Sequence, residues 1–363
     1  MAYQFADGFD NYGNNYVMTS GYPWTFTQGM TTSNTDYRFA PPGSLPGGCL
    51  YTSGTQQLVR QSMSGNLSTI ILGFGVKFAA LPGSGVQDFC DFWDSGGCQC
   101  CLTVNSNGAL QFYRGNGSTL GGSFGPTANG AVGAISANAT ITAGAWYGIA
   151  VQVTVATGTS GAVAAYVNGS PTAAISSTGI NTSGDGNSYA NQVSVGSMTQ
   201  NIGVMKFDDF YCFDTTGATQ NSLLGGDARI LTKMPASAGN YTNWTPAGLA
   251  NNWANAAVQP PNTTDYNLNN TPGTIDSYTM QVASLGVAPY FVLARASLTR
   301  DDAGPHTPTV FVRSGSTNSA GTVTSALTSS YLFYDAIVPN DPNTSSAWTA
   351  TGADNAQVGI IEG

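Results

Sequence analysis

The chain is short of charge, of histidine, of glutamate and of long apolar runs, and each shortage removes a class of protein. Charged residues make up 8% of its 363 positions, against about 25% in ordinary soluble domains. Ten Lys and Arg face nineteen Asp and Glu, and no basic run would neutralise a line of phosphates, so nucleic acid is not an expected partner. With one histidine, His306, and one glutamate, Glu362, any Ser-His-Asp or Cys-His relay must pass through His306. That residue sits in a Gly-Pro-His-Thr-Pro turn and reads as a solvated loop side chain. No stretch of 18 apolar residues occurs, and the first residues lack both a basic and an apolar signal region. The expectation is a protein made in the cytoplasm that inserts into no membrane. Six cysteines are present, and that compartment predicts buried free thiols rather than a disulfide framework.

What is abundant points to sheet. Forty-six Gly, 17 Tyr and 16 Phe in a chain that is 41% hydrophobic exclude disorder and suit many short strands joined by tight turns. A neutral polar surface carries little charge to hold copies apart, which fits a subunit resident in an assembly. The length implies two domains. Alternation from Ile70 to Phe78 puts Leu72, Phe74, Val76 and Phe78 on a buried face and Gly73, Gly75 and Lys77 on a thin one. Asn105 to Gly108 supplies a hairpin turn between the Leu102 and Leu110 strands, and Tyr147 to Val167 forms a second hairpin. Residues 216–239, rich in Gly and ending near Pro235, read as a linker, with Arg229 to Leu231 a short strand inside it. Beyond it, alternation predicts strands over Tyr290 to Leu298, Val310 to Val312, Leu332 to Val338 and Val358 to Ile361. No helix-period segment of useful length appears. The fold class is all-β, two tandem antiparallel β-sandwiches of the jelly-roll kind.

Met205 to Asp214 is the most informative strand. Strict alternation places Met205, Phe207, Asp209, Tyr211 and Phe213 on the core face, so Asp209 needs donors or a cation to offset its desolvation. Backbone N–H capping is the simpler reading and cation binding the other. Asp88, Asp91 and Asp94, threaded with Phe89, Phe92 and Trp93, could line a sugar site, with Trp93 as a glycan contact, or offer oxygens to Ca²⁺. The plainer reading leaves Asp88 and Asp94 solvated at a strand end. Asp185-Gly186-Asn187 has a trace of a calcium loop but reads as a turn. Cys98, Cys100 and Cys101, with Cys90 nearby, lack the paired spacing of a zinc site; on a regular strand Cys98 and Cys100 share a face and Cys101 turns away. Gly115-x-Gly117 lacks the third glycine of a dinucleotide loop, Leu120 standing there. No catalytic residue or bound cofactor is expected.

Four stretches occur together in a telling order. Phe-Ala-Asp-Gly-Phe-Asp-Asn-Tyr opens the chain, Ala145 to Val151 and Ala165 to Gly169 follow, and Phe207-Asp208-Asp209-Phe210-Tyr211 closes the set. The combination resembles concanavalin A-like, laminin G-like jelly rolls in the version found in virion proteins of tailed bacteriophages, over residues 1–215. From about Asp227 onward, including the second domain at residues 240–363, the chain is similar to the carboxy-terminal, interface-forming part of phage structural proteins, on the stretches Ala294 to Ala296, Arg300 to Gly304, Val312 to Gly315 and Asp341 to Thr349. The resemblance implies a non-enzymatic structural protein on the virion exterior, tail-associated or fibre-like ahead of head decoration. Its partners would be further copies of itself and other virion proteins. A carbohydrate-binding module that adsorbs to a host surface glycan is the alternative function, and a polysaccharide-degrading enzyme the third.

Overall fold

The computed structural model of the protein describes residues 3–18, 24–39, 47–54, 56–94, 97–115, 130–198, 203–323 and 326–363. Gly117 and Leu120 of the dinucleotide-like stretch lie outside them. Among the described residues the chain is all-β, in antiparallel sheets, with two five-residue helices, Asn252–Ala256 and Ala350–Asp354. It divides into two compact units. The first takes Met1–Asp10, Asn14–Phe39 and Gly47–Ile230, and the second chiefly Leu231–Gly363. The change falls within residues 216–239. That stretch is no free linker, because Asp227 and Ile230 are tied into the first unit and a strand of the second begins at Pro235. Arg229 to Leu231 forms no strand.

The first unit is a β-sandwich. One sheet runs in the order Ile175–Ile180, Gly161–Val167, Trp146–Thr154, Thr69–Phe78, Met205–Asp214, Cys49–Tyr51 and Thr31–Ser33, with Tyr3–Asp7 also pairing to Met205–Asp214. The first unit's opening and closing strands therefore meet, with Tyr3 opposite Phe213 and Asp7 opposite Phe210. The other sheet runs Ala131–Ile135, Leu110–Arg114, Cys98–Asn105, Val86–Trp93, Ala190–Gly196, Leu58–Leu67 and Phe26–Gln28. Between the sheets, Phe74 and Phe78 meet Phe89 edge to face, at centroid distances of 6.1 and 5.2 Å, the arrangement that aromatic quadrupoles favour.

Ile70 to Phe78 behaves as the alternation predicts on its core face. Its other face is not exposed: Gly73 lies under the Tyr211 ring and Gly75 under the Arg38 side chain. Glycine is needed there because a Cβ at Gly75 would come within 2.7 Å of Arg38 Cδ, and one at Gly73 would overlap Tyr211. At the Asn105–Gly108 hairpin, Gly108 has φ +73°, and an added Cβ would strike the Ile141 carbonyl.

The second unit has a six-stranded sheet built on Pro235–Thr242, Ile275–Met280, Gln357–Ile361 and Thr309–Ser314, and a ribbon of Val292–Leu298 with Leu332–Val338. Ala294, Leu298, Ala336 and Val338 of the ribbon share one core with Val310, Val312, Trp348 and Ile360. Of the predicted Tyr290–Leu298 face, Ala294 and Leu298 are buried, while Tyr290 lies before the strand and is exposed.

Candidate functional site

The Met205–Asp214 strand carries a correction to strict alternation. Phe207 stands opposite Val76, on the core face, but Tyr211 stands opposite Gly73, on the other, with the register shift between Asp208 and Tyr211. Opposed residues on antiparallel strands point to the same side, so the extra residue reverses the strand's faces. Met205 and Phe207 enter the sandwich core, Cys212 follows beside Leu72, and Tyr211 and Phe213 turn outward. Asp209 sits in the bulge at φ +54°. Its Oδ2 accepts from Arg38 Nη1 at 3.1 Å, and its Oδ1 accepts from the Ile230 N–H at 2.7 Å. The compensation is thus a backbone donor together with a guanidinium from a distant segment, which the sequence reading did not foresee. Arg38 also pairs with Asp227. Its backbone N–H donates to Asp208 Oδ2 at 2.9 Å, and Asp208 Oδ1 accepts from the Asp209 N–H at 2.8 Å. Burial pushes the Asp209 carboxyl up to about 6 against the pull of Arg38 and Ile230. Asp208 is pushed well up by burial, then by Asp209 and Asp10.

Asp88, Asp91 and Asp94 are not solvated: they are 0%, 0% and 2% exposed. Asp88 accepts from Ser197 Oγ and from the Met198 N–H, both at 2.8 Å. Asp94 accepts from the Gly97 N–H at 2.8 Å and from Asn187 Nδ2 at 2.6 Å. Through Asn187, which also donates to Asp185 Oδ2 at 3.1 Å, two residues suggested for Ca²⁺ stand close together. Asn187 presents N–H donors to both carboxylates, not its oxygen, so the cluster is held as a hydrogen-bonded turn. Gln99 Nε2 adds a bond to Asp185 Oδ1 at 2.8 Å. No group of three or more His, Cys, Asp or Glu side chains with metal-binding geometry occurs among the described residues.

Asp91 belongs to a row that sequence reasoning missed. Across six strands, Phe26, Arg60, Ser194, Asp91, Cys101 and Tyr113 stand opposite one another in turn, so one face of the second sheet carries them in a line. Ser194 Oγ donates to Asp91 Oδ2 at 2.8 Å and accepts from Trp93 Nε1 at 3.0 Å. The Arg60 guanidinium lies 4.1 Å above the Trp93 ring and donates to Gln192 at 3.1 Å. Trp93 is 1% exposed, so the face it would offer a sugar is already covered. Burial pushes Asp91 well above the ordinary carboxylate range, with Asp88 adding to the rise and Ser194 and Arg60 opposing it. The only signal in the sequence was the Asp91–Trp93 spacing; Arg60, Gln192 and Ser194 reach them by strand pairing alone.

All six cysteines are free and buried. A second bulge, at Gln99, shifts the pairing from Phe92–Cys100 to Trp93–Cys98. Cys98 and Cys101 consequently share one cluster with Trp93, contrary to the expectation that Cys101 turns away from Cys98. Burial raises every one of these thiols, Cys49 to about 12, which disfavours the thiolate that a metal would need. In the second unit His306 lies in a loop, as expected, but it is half-buried and paired. Its Nδ1 lies 2.6 Å from Glu362 Oε1 and its Nε2 3.0 Å from Asp302 Oδ1.

A last cluster lies on the first sheet. Lys77 and Lys206 are directly opposed on neighbouring strands, flanked by Trp146 and Tyr51 in the same row. Asp36 takes both ammonium groups, at 2.9 Å each, and pairs with no other cation among the described residues. Burial raises the Asp36 carboxyl, but the two lysines outweigh it and hold it below its ordinary value.

No family pattern matches the chain, and no curated protein sequence does. Solved structures resemble it distantly. The endo-β-1,4-glucuronan lyase of Trichoderma reesei is 15% identical over 52% of this chain and 90% of its own, with a TM-score of 0.37. The cellulose-induced protein Cip1 is 13% identical over 63% of this chain and 99% of its own, at 0.38. The Trypanosoma rangeli sialidase is 13% identical over 54% of this chain but 30% of its own, at 0.33. These are likenesses in β-sandwich architecture.

Proposed function

We propose that the chain is a non-enzymatic structural subunit on the exterior of a tailed-phage particle, tail-associated or fibre-like in preference to head decoration, acting through assembly with further copies and other virion proteins. The observation that carries the assembly part is a connection in the second unit. Between Ile275–Met280 and Val292–Leu298, Val282, Val287 and Tyr290 are 65%, 76% and 50% exposed. The connection is nonetheless held in place, because Asp354 accepts from the Ala283 and Leu285 N–H groups at 2.9 and 3.0 Å. Apolar side chains on a pinned segment are poised for burial, which stabilises by about 1.5–3 kcal/mol for each large one fully covered. Low surface charge removes the repulsion that would oppose it. The phage setting itself comes from the motif order of the first unit, and synthesis in a host cytoplasm follows from it.

The test is the sedimentation of the purified chain together with its stoichiometry in intact particles. A stable oligomer that Val287→Ser and Val282→Ser dissociate supports the reading, as does a fixed copy number in the particle. A concentration-independent monomer that is missing from particles would end it.

A further inference from the structure

From the Lys77–Lys206 row we infer a binding site for an anionic, carboxylate-bearing polysaccharide on the first unit. It is independent of the assembly reading, since it uses no residue of the second unit. The chain has three lysines, Lys77, Lys206 and Lys233, and two of them are placed in direct opposition. Like charges directly opposed across strands destabilise a sheet. One carboxylate, Asp36, neutralises only half of the pair, bonding Lys77 Nζ at 3.0 and 2.9 Å and Lys206 Nζ at 2.9 Å. Among the described residues no second acid pairs with either lysine, so one carboxylate serves two ammonium groups at a cost to the sheet.

The flanks fix the ligand class. Trp146, opposite Lys77, and Tyr51, opposite Lys206, are half-buried, so each offers part of an aromatic surface beside an ammonium group. Trp146 Nε1 also reaches Asp36 Oδ1 at 3.4 Å. The row crosses four adjacent strands, about 14 Å at the usual strand spacing, which accommodates a short run of sugar rings. A pair of ammonium groups for carboxylates, with an aromatic face for ring C–H groups at each end, matches a polyuronate, whereas a neutral glycan would leave the ammonium groups unused. Asp36 occupies the place of the ligand's anion. A polyuronate carboxylate would share or take over the lysines, so Asp36 sets the affinity by competing for them.

Affinity electrophoresis of the full chain through gels containing polygalacturonate, chondroitin sulfate or neutral dextran tests this, with melting temperatures confirming that each variant folds. The expected result is retardation by polygalacturonate that weakens with added salt, with none by dextran. Chondroitin sulfate, which carries uronate carboxylates beside its sulfates, should retard the chain as well. The double variant Lys77→Gln, Lys206→Gln should lose about tenfold or more in affinity, and Trp146→Ala should also weaken binding. Asp36→Asn should bind more tightly while melting at a lower temperature, a trade that a purely structural ion pair would not show. Equal retardation of the double variant, equal retardation by dextran, or no retardation of either the natural chain or Asp36→Asn by polygalacturonate overturns the inference.

Discussion

His306 Nδ1 lies 2.6 Å from Glu362 Oε1, so the chain's one histidine and one glutamate are each other's partner. Glu362 is buried, and its backbone N–H donates to the Thr274 carbonyl, which ties the end of the chain into the six-stranded sheet. The pairing with Glu362, then Asp302, raises the imidazole above its ordinary value.

The pH consequence has a definite sign. A histidine whose folded value is raised contributes stability that is fully present below its unfolded value, about 6.5. That contribution is lost as pH rises through the folded value. The His306 ring should therefore titrate by NMR with a midpoint above 6.5, and Glu362→Gln should bring the midpoint down. A midpoint at or below 6.5 in the natural chain would contradict the pairing.

Asp209 has the opposite sign to a usual paired carboxylate. Its folded value, about 6, exceeds the unfolded value of about 3.9, so the folded first unit holds the proton more tightly. Stability from this group falls as pH rises from about 4 to about 6 and is level above that. Asp209→Asn should flatten the slope in that window, with Asp208 leaving a remainder. Asp209→Ala should destabilise the first unit by about 3–5 kcal/mol, the cost of leaving a buried partner unpaired, lessened by the remaining Arg38–Asp227 pair. Denaturant melts at pH 4, 6 and 8 measure both, and a neutral effect of the alanine would count against the buried pair.

Gly73 should tolerate no side chain while Tyr211 covers it. Gly73→Ala is expected to cost about 1–3 kcal/mol by overpacking. In combination with Tyr211→Ala the losses should be less than additive. Full additivity in a double-mutant cycle would show that the ring does not lie on the glycine.

The thiols offer a direct check of the core. Because all six are buried and their ionisation is suppressed, maleimide should label almost none in the native chain and all six after unfolding. Rapid native labelling of Cys98 or Cys101 would place that cluster at the surface.

Much of the architecture was legible because it rests on local chemistry. The hairpin at Asn105 to Gly108 follows from a glycine that can adopt positive φ. The Tyr147–Val167 hairpin follows from unbroken alternation of apolar, mostly β-branched residues, and the closing strand at Met205–Asp214 from its aromatic run. The lysine row was not legible, since Lys77 and Lys206 are 129 positions apart and neither has an acid beside it in the chain that predicts Asp36. The same holds for Arg60, Ser194 and Asp91, which only the pairing of three strands brings into line.

For Met205–Asp214 the sequence by itself determined a buried strand holding two acids, because its apolar and aromatic content has no other stable fate in a chain this poor in charge. Only the tertiary structure decided which way those side chains point. The bulge at Asp208 and Asp209 depends on Arg38, which bonds both carboxylates from a segment some 170 positions away. One extra residue then exchanges the two faces from Tyr211 onward. Alternation is a property of a regular strand, and the energy that breaks it here comes from an ion pair formed only once the sheet is assembled.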